Sequence, residues 1–262
     1  MGPPVQALAD GGIGVSPCQG RSAPRLASCA TMARKRLALS FDNGPAPDVT
    51  PGVLDALARR QLRATFFVCG KDLRDPARRA LALRAREAGH RVGNHTLTHA
   101  VELGASADPT APAREIGEAQ ELLGSLAASE RWFRPYGAGG VLGPRLLSDA
   151  AVRYLCDGGY SCVLWNSVPR DWEDPEGWPE RALADVARTD WTLVVLHDVP
   201  TGAMRALPRF LDRLLADGIE ITFDLPPICV PIRNGKLVGS LEGLVADAAP
   251  NDLRSKRAPL PP

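Results

Sequence analysis

From Leu37 to Phe223 the chain switches repeatedly between two hydrophobic periodicities, and that alternation is what most restricts its fold. Leu37–Phe41 is a short apolar run, and Thr50–Gln61 then places Val53, Leu54, Leu57 and Ala58 at helical spacing. Thr50 before Pro51 predicts an N-cap followed by proline in the first helical turn. Ala64–Gly70 (ATFFVCG) is aromatic and β-branched, hence a strand, and Pro76–Ala88 is a helix ended by Gly89. The alternation continues: strand His90–His95, helix Ala113–Ala128, strand end Trp132–Gly137, helix Pro144–Asp157, strand Ser161–Asn166, helix Glu176–Arg188, strand Trp191–Asp198, helix Ala203–Ala216 and strand Ile219–Phe223. Units of this length require a parallel sheet with helices outside it, either doubly wound or closed as a barrel. Candidate chemical residues at the ends of five strands favour the barrel.

Bulk properties exclude several classes of function. The net charge is +1 over 262 residues, so no polyanionic partner such as nucleic acid is expected. No apolar run approaches the roughly eighteen residues that a bilayer span needs. No two of the six cysteines are separated by two residues, which argues against a zinc ribbon or a thioredoxin-like site. Cys69 and Cys162 lie in apolar runs and are expected as buried free thiols. Residues 1–33 are rich in Gly, Pro, Ala and Ser and lack a basic start followed by an apolar core. They are expected to be a disordered extension, with Met32 a natural translation start, and the missing signal pattern favours the cytoplasm. Residues 34–230 form the expected catalytic domain, and 231–262 a C-terminal extension that is partly disordered.

The chain has four histidines. His95 and His99 are spaced i, i+4, which on a helical turn would put both imidazoles on one face, as two ligands of one metal ion need; two surface histidines are the plain alternative. His197 ends the apolar run TLVVLHD, where α/β enzymes place catalytic groups, although a hydrogen-bonded core histidine would look the same. Asp42 ends Leu37–Phe41 in the same way, yet Asp-Asn-Gly-Pro is also ordinary turn chemistry. Arg134 in FRPYG and Asp171 in RDW each follow a strand beside an aromatic residue, Tyr136 or Trp172.

Five segments, in order, resemble the motifs of the polysaccharide deacetylase (NodB-homology) family, the family-four carbohydrate esterases. SFDNGP (Ser40–Pro45) is similar to T-F-D-D-G-P, and NHTLTH (Asn94–His99) to H-[ST]-x-x-H. FRPYG (Phe133–Gly137), WNSVPRDW (Trp165–Trp172) and VVLHD (Val194–Asp198) resemble the Arg-Pro-Tyr, Asp-Trp and Leu-x-His segments. The resemblance implies a distorted (β/α) barrel of about seven parallel strands. It also implies hydrolysis of a carbon–nitrogen bond in an N-acetylated oligo- or polysaccharide such as a chitooligosaccharide, assisted by one divalent metal, zinc above all. Residue by residue, it implies Asp42 as general base, His197 as general acid, Asp171 as the group orienting His197, and Arg134 as the group positioning the base. It further implies His95 and His99 as metal ligands, the Tyr136 N–H as an oxyanion donor and Trp172 as part of the substrate wall.

Two positions depart from the pattern. Asn43 stands where the family has its third ligand, an aspartate, so the donor set loses its negative charge and a weaker or altered metal site is expected. The neutral neighbour also spares Asp42 a like-charge repulsion, which should keep it ionised to lower pH. Val168 stands where the family has a further aspartate. A metal-free carbohydrate-binding protein and a small-amide (formamide) hydrolase are the alternative functions on this fold.

Overall fold

The structure is a computed structural model that describes Gly2 and residues 34–246. The expectations for residues 1–33 and for the end of the chain from 247 fall, apart from Gly2, outside the described residues.

Seven strands run parallel: β1 (Arg36–Asp42), β2 (Thr65–Val68), β3 (Arg91–Asn94), β4 (Trp132–Phe133), β5 (Ser161–Cys162), β6 (Trp191–His197) and β7 (Glu220–Thr222). The sheet order is β6-β1-β2-β3-β4-β5, and β7 pairs with the first half of β1. Ser167, just past β5, makes a parallel bridge to Val194 of β6. That bridge brings the far side of the sheet back to its start and curls it into a distorted barrel, the expected fold. Residues 231–246, placed by sequence in the C-terminal extension, carry β8 (Ile232–Arg233) and β9 (Lys236–Leu237); β8 adds antiparallel to β5.

Alternation along β1 separates two environments. Leu37, Leu39 and Phe41 face the outer layer, where they pack with Val53, Leu57, Trp178, Leu207 and Phe210. Ala38 faces the barrel interior with Phe67, Trp132, Val163 and Leu193, and Ser40 and Asp42 share its side of the strand. The outer layer is built from α1 (Thr50–Ala58), α2 (Pro76–Glu87), α5 (Trp178–Arg188) and α6 (Leu207–Ala216). In α6 the buried residues Leu207, Phe210, Leu211 and Leu214 repeat at i, i+3, i+4 and i+7, the spacing of one helix face. Each such side chain contributes about 1.5–3 kcal/mol when fully buried.

Several elements differ from the sequence reading for local reasons. Helix α4 (Asp149–Asp157) does not begin at Pro144, because Ser148 caps it by accepting from the Ala151 N–H while Leu147 bridges to Val245. The stretch expected as one helix over Ala113–Ala128 is a π-helical turn (Ala113–Glu118), α3 (Ala119–Leu123) and a 3₁₀ turn ending at Leu126. Val49, not Thr50, is the cap of α1; the Thr50 hydroxyl accepts from the Ala46 N–H and donates to Asp198. Cys69 and Cys162 are buried free thiols as expected.

Candidate active site

The strand register builds the centre of the site. In the β1–β6 ladder Asp42 lies directly opposite His197, so the two terminal residues of adjacent parallel strands emerge together at the C-terminal mouth. A slip of one residue would turn Asp42 away from the interior. His95 follows β3, Arg134 follows β4, and Asp171 arrives on the loop beyond β5. All five are brought together, with Asn43, His99, Tyr136 and Trp172, around one cleft of about 270 Å³ or directly beneath it.

Asp42 is 3% exposed and held by two cationic or potentially cationic groups. Arg134 Nη1 donates to Asp42 Oδ1 at 2.8 Å, and His95 Nε2 lies 3.5 Å from Oδ2. Burial alone would raise the Asp42 pKa; the Arg134 guanidinium, then His95 and His197, outweigh it and hold the carboxyl below its ordinary value. Arg134 is itself fully buried. Its donors are taken by Ser40 Oγ at 2.8 Å, by Asp42, and by the Val163 and Leu164 carbonyls at 3.4 and 3.2 Å, while Phe67 lies under the guanidinium at 4.1 Å. A buried guanidinium is tolerable only when its donors and its charge are both met in this way.

His197 has the opposite bias. Asp171, fully buried, accepts from the His197 backbone N–H at 2.9 Å through Oδ2 and bonds its Nδ1 at 2.8 Å through Oδ1. Burial pushes the imidazole down, but the Asp171 hydrogen bond and charge outweigh it and the pKa is raised. Trp172 stands edge-on to the ring, with centroids 4.8 Å apart. One mouth therefore holds a carboxylate biased toward its ionised form beside an imidazole biased toward its protonated form.

His95 and His99 come together by a route that sequence spacing did not indicate. They lie on an irregular loop rather than a helical turn, and Thr96 (φ 64°) and His99 (φ 53°) take left-handed backbone conformations to bring the rings to 4.7 Å. His95 Nδ1 is 2.9 Å from the Arg134 carbonyl, which fixes the Nδ1–H tautomer and leaves the Nε2 lone pair free. Burial lowers the pKa of both rings, His99 to about 3, so both are neutral donors at neutral pH. Tyr136 stacks on His99 at 4.3 Å. Among the described residues no three His, Cys, Asp or Glu side chains form a group that could hold a metal ion. Two imidazoles beside the Asn43 amide in the same cleft are a donor set that would fit a divalent ion without any charged ligand.

Some contributors escaped the sequence reading. Asp198 is fully buried against the Asp42–Pro45 turn; Thr50 Oγ1 donates to its Oδ2 at 2.5 Å, and burial raises its pKa to about 7. A Cβ on Gly44 would sit 2.0 Å from Asp198 Oδ1, so only glycine allows this approach. The turn in DNGP was legible as Gly-Pro chemistry, whereas the carboxyl packed against it lies far along the chain. Val168, the second departure, lines the cleft and faces Gly140, where a Cβ would meet its Cγ1 at 2.7 Å.

Comparisons with known proteins agree with the fold. The family model described as polysaccharide deacetylase matches residues 30–154. A chitooligosaccharide deacetylase of Sinorhizobium fredii is 36% identical over 170 residues, covering 61% of this chain and 70% of its own. One from Rhizobium leguminosarum bv. phaseoli is 33% identical over 222 residues, covering 80% of this chain and 89% of its own. Among solved structures, a family 4 acetyl xylan esterase from Clostridium thermocellum, in complex with cobalt, superposes with a TM-score of 0.58 at 27% identity, covering 72% of this chain and 87% of that one. With the motifs in register and the barrel in place, the chain belongs to the polysaccharide deacetylase family, the family-four carbohydrate esterases.

Proposed function

We propose that the chain hydrolyses the N-acetyl group of an N-acetylated sugar within an oligo- or polysaccharide, chitooligosaccharides being the class named for its relatives in Sinorhizobium and Rhizobium. The observation that carries this reading is the oppositely biased pair at one mouth, Asp42 on Arg134 and His197 on Asp171. Amide hydrolysis needs a base to activate water and an acid for a poor leaving group, and each role suits one bias.

In the proposed sequence, water approaches the acetyl carbonyl and its proton passes to Asp42. Arg134 keeps Asp42 ionised and fixes its orientation through Oδ1, leaving Oδ2 toward the cleft side occupied by His95. The Tyr136 N–H would donate to the oxyanion. His197, protonated and aimed by the Asp171 contact at Nδ1, gives the proton on Nε2 to the sugar nitrogen as the C–N bond breaks, releasing acetate and a free amine. His95, His99 and the Asn43 amide oxygen would hold the divalent ion, zinc being our assignment from the imidazole donors. Bound there, such an ion would supply Lewis acidity for the acetyl carbonyl and would lower the pKa of water. Trp172 and Val168 shape the wall on which the sugar rests.

The test is acetate release from chitooligosaccharides by the native chain, by Asp42→Asn and by His197→Ala, with added Zn²⁺ and after chelation. A drop of about 10²–10⁴-fold in each variant is expected. Native-like rates in Asp42→Asn or His197→Ala would overturn the assignment of roles, and no acetate release from any acetylated sugar by the native chain would overturn the reaction.

A further inference from the structure

The loop that presents His95 and His99 is clamped from one side by the π-helical turn Ala113–Glu118. Glu115 is a fully buried carboxylate that no step of the proposed chemistry uses. Its Oε2 accepts from the Thr98 N–H at 3.0 Å, and the Thr98 hydroxyl lies 3.1 and 3.0 Å from Oε1 and Oε2. The nearest cation is the half-exposed Arg114, whose Nε is 3.6 Å from Oε1. The next residue, Ile116, takes the other end of the loop: its carbonyl accepts from Asn94 Nδ2 at 2.9 Å, and Asn94 Oδ1 accepts from the Thr96 N–H at 2.9 Å. Thr96 Oγ1 in turn accepts from the His99 N–H at 3.0 Å. The two positions flanking the ligand pair, Asn94 before His95 and Thr98 before His99, are thus fixed by two consecutive residues of one helical turn.

Two physical facts make this more than packing. A carboxylate removed from water is costly unless specific donors meet it, and here Thr98 supplies them. The loop it grips places a β-branched threonine and a histidine at positive φ, a conformation that persists only where surrounding bonds over-determine it. π-Turns of this kind recur at functional sites, where the wider turn re-aims side chains.

We propose that Glu115 is a positioning residue that holds His99 in ligand geometry beside His95, so that the affinity of the site for a divalent ion depends on it. This rests on the metal-binding part of the proposed function. It matters more here than with an anionic third ligand, because Asn43 brings no charge and the two imidazoles must be pre-placed to hold the ion.

The experiment uses the full chain and two readouts. The first is amide hydrogen exchange without metal. Glu115→Leu should lower protection of the Thr98 and His99 amides by about tenfold or more, as the loss of a charge-assisted hydrogen bond implies, while β1 and β6 keep theirs. Glu115→Gln, which can still accept from the Thr98 N–H, should restore most of it. The second readout is Co²⁺ binding followed by visible absorption, where Glu115→Leu should weaken binding by about 10–100-fold. Thr98→Val removes only the hydroxyl and should shift both readouts the same way by less, which decides the matter if Glu115→Leu does not fold. Unchanged Thr98 and His99 protection in a folded Glu115→Leu, or in Thr98→Val where Glu115→Leu is unfolded, overturns the proposal. So does undiminished Co²⁺ affinity in that variant when the native chain binds the ion. A native chain that binds no Co²⁺ refutes the metal reading, and the exchange data then decide the positioning role alone.

Discussion

Replacing Asp171 by asparagine isolates the acid half of the site. The carboxylate makes two bonds to one residue, 2.9 Å to the His197 N–H and 2.8 Å to Nδ1. An asparagine can keep the first by presenting its carbonyl oxygen, but then turns an NH₂ toward Nδ1. The amide would donate to that nitrogen and hold the ring neutral, the wrong state for an acid. The lost charge lies within hydrogen-bond distance, and an opposite charge at that range is worth about 1–3 pKa units. The sign follows from the native bias: His197 is raised above its ordinary value, so the protonated ring is present below that raised pKa and disappears as pH rises through it. In Asp171→Asn the alkaline limb of kcat/KM should therefore move down by about 1–3 pH units, and kcat near neutral pH should fall by about 10²–10⁴-fold. The acid limb, set by Asp42 and Arg134, should stay in place. Rates of acetate release from chitooligosaccharide across pH 5–10 give the profile. An alkaline limb that does not move would refute the role of Asp171 and the assignment of that limb to His197.

Asn43→Asp should tighten Co²⁺ or Zn²⁺ binding by at least about tenfold in a chelator competition, since it restores an anionic donor. The new charge beside Asp42 should also shift the acid limb upward. Arg134→Met leaves Asp42 buried with its main partner gone, and should cost about 3–5 kcal/mol in urea denaturation at pH 7. Because Asp42 is depressed in the native fold, its contribution is present above the ordinary carboxylate range and lost as pH falls, so the difference from native should narrow in acid. Gly44→Ala forces a Cβ to within 2.0 Å of Asp198 Oδ1 and should cost about 1–3 kcal/mol; Asp198→Ser in the same chain should return part of it, measured as a non-additive double-mutant cycle.

What was legible in the sequence was whatever periodicity or a short motif encodes. The β–α alternation implies a parallel sheet with helices outside, the chemical residues at strand ends favour its closure as a barrel, and the polar residue closing an apolar run marks Asp42 and His197, whose partnership the register of β1 and β6 then realises. Short-range chemistry misled where backbone geometry intervened. The i, i+4 spacing of His95 and His99 would bring the rings together on a helical turn, yet two left-handed residues make the same meeting in a loop. Thr50 was read as a cap because it precedes Pro51, but its hydroxyl is drawn to Asp198, 148 residues away. Glu115 left no signal at all, since its partner Thr98 is 17 residues earlier and nothing in either segment marks a shared burial. Hydrogen bonds between distant segments carry no periodicity, so a single sequence cannot announce them.

The same long-range bonds explain why Asn43 need not silence the site. The bias of Asp42 comes from Arg134, then His95 and His197, and that of His197 from Asp171. None of these contacts passes through residue 43, so proton transfer at the mouth is set up independently of the third ligand. In the proposed site, Asn43 would change the charge of the donor set, and hence how firmly an ion would be held between His95 and His99. Its effect would then fall on metal affinity and, through the missing like charge, on the pH at which Asp42 takes up a proton. On the proposed reading, the burden of holding the ion would shift to the bonds that fix the histidine loop, Asn94 to Ile116 and Thr98 to Glu115.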